Sequence, residues 1–451
     1  MKVLLISPRS SEKRLPVGIR IPQLAPLILA SLTPEDVNIS IIDEQIGDIN
    51  FSKDYDLVGI SIMTATAKRG YHLANMFREK GSRIVFGGIH ASVMPEEAIN
   101  HGDAVVIGEA EGSWPNLIED FKNNSMKKFY KNGAPDLTKT PLPRRNMKID
   151  RSMLGYKYPG FYTTKGCPYS CEFCSVSNVY GRKIRHLPIP FVIKDIENAK
   201  SKIFLSLDDN VAADPKYAKN LFQALIHLKI KWGGQCTVTI AQDKELLRLC
   251  HESGCGGLFI GLESVSTASM SRMHKTLKSI KENEDAIKRI QDTGIIFHPS
   301  FVFGLDDDTK AIFDDTLEFL YKNKIITATF NILTPYPGTK LHHRLKQEGR
   351  LISEDWNHYN HSTVVFRPKN MTEKELGEGY FHLKKEFYSL SNICRHIMKL
   401  DGISRPNFAQ FFYVVFNNIA GAQTLIESYK TINTFRSETQ PGNKNQSGIN
   451  V

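Results

Sequence analysis

Short apolar segments alternate with helix-forming segments along most of this 451-residue chain, and this alternation limits the fold more than any other feature. Parallel strands need a crossover between them, usually a helix, so the alternation predicts an α/β protein with parallel sheets. A chain of this length exceeds what one hydrophobic core normally organises. We therefore expect two or three domains.

The first series of strands and helices predicts a doubly wound, Rossmann-like domain over residues 1–135. The carboxyl ends of such strands bind ligands near the point where the strand order reverses. The expected strands are Lys2–Ser7, Asn38–Asp43, 57–63, 83–86 and Ala104–Ile107, with helices over 21–32 and 65–80.

A polar, proline-containing linker is predicted over 136–155, and a second series of strands and helices over 156–370. Six units of this kind favour a partial (β/α)6 barrel with functional loops at the strand carboxyl ends. A helical segment over 371–430 and a disordered polar tail over 431–451 are expected to follow. The expected barrel strands are 160–164, 202–207, 236–240, 257–260, 295–302 and 327–332.

Three cysteines, Cys167, Cys171 and Cys174, lie within eight residues directly after the first expected barrel strand. Iron–sulfur clusters are normally held by four cysteines, so three would leave one iron of a [4Fe–4S] cluster open to another ligand. A structural zinc site would need four ligands, and a disulfide framework is typical of small secreted domains. We favour the open cluster, and a zinc or inert site remains the alternative.

Charge, apolar runs and cysteine content limit the binding partners and the cellular location expected of this chain. The net charge of +10 allows nucleic acid, anionic lipid or phosphorylated partners, but the basic residues form no dense stripe, so nucleic acid is not favoured. The longest apolar runs, such as 411–416, are far shorter than the roughly 20 residues of a membrane span. Seven cysteines, an odd number, and no secretory signal favour the cytoplasm.

Further motifs follow the cysteine loop in a fixed order. They are Leu-Asp-Asp-Asn at 207–210, Gly-Leu-Glu-Ser at 261–264, the stretch 301–309 and Tyr-Pro-Gly-Thr at 336–339. With the cysteine loop, they resemble the radical S-adenosylmethionine (SAM) superfamily fused to a cobalamin-binding domain, over residues 1–370. The resemblance implies that SAM binds the open iron and is cleaved to methionine and a 5′-deoxyadenosyl radical. An electron donor such as flavodoxin or ferredoxin is implied as well.

The resemblance also implies residue roles. The cluster ligands would be the three cysteines, and Phe173, Asp208, Asp209, Glu263 and Ser264 would contact SAM. The stretch 301–309 lacks a proline and a second glycine of the family pattern, so its SAM contact is left open. From the residues alone, the two aspartates could be capping carboxylates, and Glu263 with Ser264 could begin a helix.

For cobalamin, the loops after the first-domain strands resemble the fused domain of this family. The string D-x-H-x-x-G is absent, because the position two residues before His90 is Gly88. Cobalamin would then bind without a protein histidine on cobalt; the alternative is a domain that keeps the fold but binds none. The candidate contacts are Ser61, Thr64, Gly87, Gly88, His90, Gly108 and Glu109.

The leading hypothesis is cobalamin-dependent methylation of an unactivated carbon in a small-molecule or lipid substrate. A cobalamin-assisted ring rearrangement or cyclisation, a methylthiotransferase with a vestigial cobalamin domain, and a non-catalytic cobalamin or cluster sensor remain alternatives. No catalytic side chain is assigned. Four further cysteines are interpreted as ordinary packing residues rather than a second cluster: Cys236, Cys250, Cys255 and Cys394.

Overall fold

A computed structural model describes residues 1–10, 23–147, 158–272, 279–398, 414 and 418. Two six-stranded sheets organise these residues, and every strand pair within both sheets is parallel. The predicted fold class, a doubly wound domain followed by a partial barrel and a helical segment, is confirmed.

The first sheet has the strand order β2-β1-β3-β4-β5-β6. The order reverses beside β1, so the switch point of this sheet lies between β1 and β3, at their carboxyl ends. The strands are β1 (Lys2–Ser7), β2 (Asn38–Asp43), β3 (Leu57–Ser61), β4 (Arg83–Gly87), β5 (Ala104–Ile107) and β6 (Phe129–Lys131). The helices are α1 (Ala25–Leu32), α2 (Ala67–Arg78), α3 (Ile89–Val93), α4 (Pro95–Ile99) and α5 (Trp114–Lys122), with 3-10 turns at Thr64–Thr66, Ala110–Gly112 and Leu137–Lys139.

Both faces of this sheet are buried, as an all-parallel sheet requires. Val58 and Ile60 of β3 pack with Phe77 of α2 on one face. Leu57 and Val85 pack with residues of α5 such as Leu117 on the other. The short strand β6 extends the edge of the sheet and was not predicted, because three residues carry too little periodicity to recognise.

The second sheet has the order β7-β10-β11-β12-β13-β14, which follows the chain as a barrel requires. Its strands and an antiparallel ribbon, β8–β9, are β7 (Gly160–Phe161), β8 (Thr164–Lys165), β9 (Arg185–His186), β10 (Ile203–Ser206), β11 (Lys231–Cys236), β12 (Cys255–Glu263), β13 (Ile296–Phe303) and β14 (Thr329–Ile332). The helices are α6 (Val176–Tyr180), α7 (Ile189–Asn198), α8 (Pro215–Ile226), α9 (Lys244–Glu252), α10 (Thr267–Arg272), α11 (Ile280–Asp292), α12 (Ile312–Lys322), α13 (Lys340–Gln347), α14 (Glu373–Phe387) and α15 (Leu390–Met398), with 3-10 turns at Val238–Gln242 and Trp356–His358.

The third barrel strand corrects the sequence-based expectation. A strand was predicted over 236–240, but the strand is Lys231–Cys236, and Val238–Gln242 forms a 3-10 turn. Glycines 233 and 234 disfavour a strand when propensity alone is considered. In the barrel, position 234 must lack a side chain, because a Cβ on Gly234 would lie only 2.8 Å from the Cβ of Ser206. The expected strand 160–164 is likewise divided into β7 and β8.

The end of the barrel region packs into the first domain. Trp356 and Tyr359 belong to the same hydrophobic core as Phe77 and Phe86. The indole Nε1 of Trp356 donates a hydrogen bond to Glu97 Oε1 at 2.9 Å. The two halves are therefore held against each other by a segment that lies more than 200 residues after the first domain.

Helices α14 and α15 begin the expected helical segment, and residues 414 and 418 are also helical. The predicted tail, 431–451, lies outside the described residues, as do the aromatic positions 411–413 and 416. No helix in the described part of the chain has the length and apolar character needed to cross a membrane. The domain boundaries remain predictions.

We predict that Trp356→Ala destabilises the folded chain by about 3–5 kcal/mol, because it opens a cavity in the shared core and leaves Glu97 without the indole donor. Urea unfolding followed by circular dichroism measures this change. Leu390→Ala is the control, since that side chain is 82% exposed and its loss should cost less than about 0.5 kcal/mol. Equal midpoints for the two variants would contradict the shared core.

Candidate functional site

The cysteine loop starts at a glycine that no other residue replaces without strain. Gly166 has φ +90°, and a Cβ there would lie 2.4 Å from the carbonyl oxygen of Lys183. The next residue, Cys167, donates its backbone N–H to the oxygen of Gly181 at 3.3 Å. The chain therefore leaves β8, turns through the three cysteines, and returns beside its own start.

A cavity of about 410 Å³ opens at the carboxyl ends of the barrel strands, where the fold predicts chemistry. All three loop cysteines line it. Other residues in its wall are Phe173, Arg182, Asp209, Asn210, Gln235, Cys236, Thr237, Thr239, Phe259, Glu263, Asn283 and Ser300.

The loop thiols are close enough to influence one another. Burial, with smaller contributions from the nearby Cys171, Asp209 and Cys167, raises the pKa of the Cys174 thiol to about 11. A thiol of this kind becomes a thiolate at neutral pH only when it binds a cation, as iron ligation supplies. In the described residues no group of three or more His, Cys, Asp or Glu side chains is placed to hold a single metal ion. A [4Fe–4S] cluster does not require such a group, because each thiolate binds a different iron. The trio therefore fits an open [4Fe–4S] cluster.

Cys236 also lines this cavity, from the end of β11. Burial raises its thiol pKa well above the usual value, and its electrostatic neighbour is Cys255 rather than the loop cysteines. It therefore belongs to the barrel wall, in agreement with the packing role expected for it.

Asp209 and Glu263 bring two carboxylates to the cavity. The side chain of Asp209 faces the cavity, whose walls limit its contact with water. This desolvation, with the neighbouring charge of Asp208, raises the pKa of Asp209 to about 6. Glu263 has φ +70° at a bulge between β12 and β13. A Cβ on Gly261 would lie 2.2 Å from Glu263 Oε1, so the glycine makes room for the carboxylate.

Asp208 and Ser264 are not among the cavity residues. Asp208 is buried, and its Oδ1 accepts the backbone N–H groups of Thr163 at 2.8 Å and Thr164 at 2.5 Å. Its Oδ2 accepts the hydroxyl of Ser206 at 2.6 Å. Asp208 thus anchors the segment that leads into the cysteine loop, and its contact with SAM stays a prediction. Ser264 accepts the N–H of Ser266 at 3.0 Å and organises the turn before α10.

Several polar wall residues were missed by the sequence analysis. Asn210 donates to the Thr237 hydroxyl at 3.5 Å, and the hydroxyls of Thr237 and Thr239 are 2.7 Å apart. Gln235 is the second-last residue of β11 and Thr237 directly follows that strand, whereas a strand was predicted over 236–240. A strand predicted to end at residue 236 would have placed these polar residues at the carboxyl edge of the barrel, where functional residues are expected.

A second cavity, about 230 Å³, lies at the carboxyl edge of the first sheet. Its wall includes five of the predicted cobalamin contacts: Ser61, Gly87, Gly88, Gly108 and Glu109. Gly88 has φ +92°, and a Cβ there would lie 2.6 Å from the oxygen of Ile62. Gly88 therefore lets the loop after β4 pack directly against the residue that follows β3, at the edge where this kind of sheet binds ligands.

Thr64 and His90, the other two predicted contacts, lie outside this cavity wall, and their contact with cobalamin stays a prediction. His90 is fully buried; its Nδ1 is 3.2 Å from the Thr64 hydroxyl and its Nε2 is 3.3 Å from Glu97 Oε1. Its ring meets Trp356 edge to face. Both polar atoms of the imidazole thus have partners inside the protein, and His90 helps to join the two halves.

The two cavities share one stretch of chain. Lys165 and Tyr180 line the second cavity, and the three cysteines between them line the first. A group bound in either cavity therefore lies against the same loop.

Family models agree with this geometry. Residues 161–320 match the radical SAM superfamily and residues 30–118 the B12 binding domain, while 339–437 match a domain of unknown function, DUF4070. The chain is 31% identical over 362 residues to bacteriochlorophyllide d C-8(2)-methyltransferase of Chlorobaculum tepidum, covering 75% of this chain and 79% of that protein. This chain belongs to the radical SAM enzymes that carry a cobalamin-binding domain. Its cofactors are a [4Fe–4S] cluster, SAM and cobalamin, and it requires a reductant.

Another relative, bacteriochlorophyllide d C-12(1)-methyltransferase of the same organism, is 29% identical over 88% of this chain and 89% of its own. Among solved structures, the radical SAM methyltransferase TsrM of Kitasatospora setae superposes with a TM-score of 0.70 at 13% identity, covering 97% of this chain and all of that one. The cobalamin-dependent radical SAM enzyme OxsB has a TM-score of 0.61 at 15% identity, covering 97% and 84%. At these identities the structures show a shared fold.

We predict that Cys174→Ala reduces the iron and sulfide content of anaerobically purified protein to near zero, because two thiolates cannot retain the cluster. Cys394→Ala is the matched control, since Cys394 is exposed and lies outside the cavity. Iron and sulfide assays with the visible absorption spectrum measure the change. A Cys174→Ala protein that binds as much iron as the control would contradict the assignment.

Proposed function

We propose that this radical SAM enzyme methylates an unactivated carbon of a small-molecule or lipid substrate, with cobalamin as the methyl carrier. One observation carries the proposal: the cluster cavity and the first-domain cavity lie on either side of a single loop, residues 165–180. A substrate between them would meet both cofactors. The relatives described above are methyltransferases by name.

In the cluster cavity we assign Cys167, Cys171 and Cys174 as the cluster ligands. When bound by these thiolates, the cluster would supply the electron for cleavage of SAM into methionine and a 5′-deoxyadenosyl radical. The carboxylate of Glu263, which lines the same cavity, would accept hydrogen bonds from SAM amino or hydroxyl groups. Phe173, which packs on the barrel core beside the cysteines, offers an apolar surface to the adenine.

Asp209 is the second carboxylate of this cavity. With its pKa near 6, it is largely ionised at neutral pH, and it would pair with a cationic group of SAM. Arg182 also lines this cavity, and its guanidinium would pair with the SAM carboxylate.

In the second cavity the loops at Ser61, Gly87–Gly88 and Gly108–Glu109 would hold cobalamin, which supplies a transferable methyl group. No histidine among the described residues lines this cavity. The glycines fit a cofactor bound through close backbone contacts. The Glu109 carboxylate is already paired with Lys165 and Arg185.

In the proposed reaction a substrate C–H bond is replaced by C–CH₃. One SAM yields methionine and 5′-deoxyadenosine, which carries the removed hydrogen. A second SAM yields S-adenosylhomocysteine after giving its methyl group. An external reductant supplies two electrons, and we propose a protein of the flavodoxin or ferredoxin class in the cytoplasm.

A ring closure is the second candidate. The anaerobic magnesium-protoporphyrin IX monomethyl ester cyclase of Cereibacter sphaeroides is 24% identical over 71% of this chain and 57% of that protein. The methylthiotransferase alternative loses support because the described C-terminal part is helical in α14 and α15, not β-rich. The sensor alternative loses support because the chain belongs to an enzyme family.

We predict that reduced, cluster-loaded protein with cobalamin, incubated with SAM carrying a trideuterated methyl group and an extract of cells lacking the gene, forms 5′-deoxyadenosine. It also transfers the deuterated methyl group to one extract compound, detected by mass spectrometry. Cys167→Ala should form neither product, because its cluster is lost.

The outcomes separate the candidates. Formation of 5′-deoxyadenosine without label transfer, together with a product lighter by two hydrogens, would favour ring closure over methylation. No 5′-deoxyadenosine above the Cys167→Ala background would remove both candidates.

A further inference from the structure

The ribbon that leads into the cysteine loop carries two cations side by side. Lys165 of β8 lies directly opposite Arg185 of β9 in the antiparallel register. Like charges at opposed positions destabilise a strand pair, and an isolated two-stranded ribbon is marginal in water. This ribbon therefore needs nearby anions to be stable.

The anions come from the first domain. Glu109 Oε2 is 3.1 Å from Lys165 Nζ and 3.3 Å from Arg185 Nη1, and Glu111 Oε1 also pairs with Lys165. All four side chains are at least 84% buried. We name Glu109, Glu111, Lys165 and Arg185 the interdomain ion cluster.

This cluster connects two functional surfaces. Glu109 and Glu111 lie in the wall of the second cavity. Lys165 precedes Cys167 by two residues, and Arg185 donates to the carbonyl oxygen of Tyr180, at the end of α6, at 3.4 Å. Both ends of the segment 165–185, which contains the three cysteines, are therefore tied to the loop that lines the second cavity.

Because its side chains are buried, the interdomain ion cluster is stable only while its charges remain paired. Removing charges from water is costly, and a buried ion pair often stabilises a fold no better than apolar residues of equal volume. What the pairs provide is a defined arrangement, since a ribbon displaced from the glutamates would leave two buried cations without compensation. The position of the cysteine loop thus depends on the position of the loop at 108–112.

We infer that the interdomain ion cluster couples the two cofactor sites. Cobalamin in the second cavity orders the loop at 108–112, which holds the ribbon and the cysteine loop in the arrangement that binds SAM. Coupling between binding sites is reciprocal, so SAM raises the affinity for cobalamin by the same factor. The inference rests on the proposed assignment of the second cavity to cobalamin, and Arg185 acts as a positioning residue outside the cavity wall.

The test compares Arg185→Gln with Arg185→Lys in cluster-loaded protein. Hydroxocobalamin affinity is measured by equilibrium dialysis with and without saturating SAM. The original protein should show coupling of about fivefold or more. Arg185→Gln should reduce it to less than about twofold, because one cation no longer joins the ribbon to Glu109, and Arg185→Lys, which keeps the charge, should retain most of it.

A second measurement does not depend on any variant. Hydroxocobalamin should slow hydrogen–deuterium exchange in peptides covering 163–186 of the original protein. Affinities that do not change with SAM, exchange that does not change with hydroxocobalamin, or coupling that survives Arg185→Gln would overturn the inference while leaving the proposed function intact. A protein that binds no hydroxocobalamin would overturn both.

Discussion

The carboxylate of Asp208 is the constraint on which the active-site geometry depends. It accepts the backbone N–H groups of Thr163 and Thr164 and the hydroxyl of Ser206, so it joins the entry of the cysteine loop to the adjacent barrel strand. A buried carboxylate is stable only when it is this fully hydrogen-bonded. The cysteines consequently begin at a fixed point on the carboxyl edge of the sheet.

The cysteine loop and the ribbon that leads into it also contact α13 and the first domain. Leu341 donates its N–H to the oxygen of Glu172 at 3.0 Å, and Arg344 pairs with the Glu172 carboxylate at 2.5 Å, so α13 closes over the loop. On the side of the first domain, the glutamates at 109 and 111 meet the ribbon. Three separate elements therefore position one loop, which is what a precisely placed iron ligand set requires.

The sequence alone predicted most of the fold and the position of the cysteine loop. The periodicity of strands such as Lys2–Ser7 and Ala104–Ile107 predicted the first sheet, and the spacing of the cysteines predicted a loop whose three thiols line one cavity. The departures have one physical origin: the roles of individual polar side chains depend on tertiary neighbours. His90 looked like a cofactor contact beside two glycines, yet its partners, Glu97 and Trp356, are remote in the sequence or unmarked by any motif.

The same reason explains the interdomain contacts. Lys165 and Arg185 have no recognisable signal in the sequence, because their opposition arises only when β8 pairs with β9. Likewise, the strand boundary at 231–236 depends on the close approach of Gly234 to Ser206, a tertiary contact that the sequence does not show. Local patterns predict elements; which side chain reaches which cavity is decided by the packing of elements.

Electron paramagnetic resonance of the reduced protein, with and without SAM labelled with ¹⁵N and ¹⁷O on its amino and carboxylate groups, tests the open iron most directly. The account predicts a [4Fe–4S] signal whose g values shift when SAM is added, with hyperfine coupling to the labelled atoms. A cluster signal unaffected by SAM, or protein that holds only zinc, would contradict it.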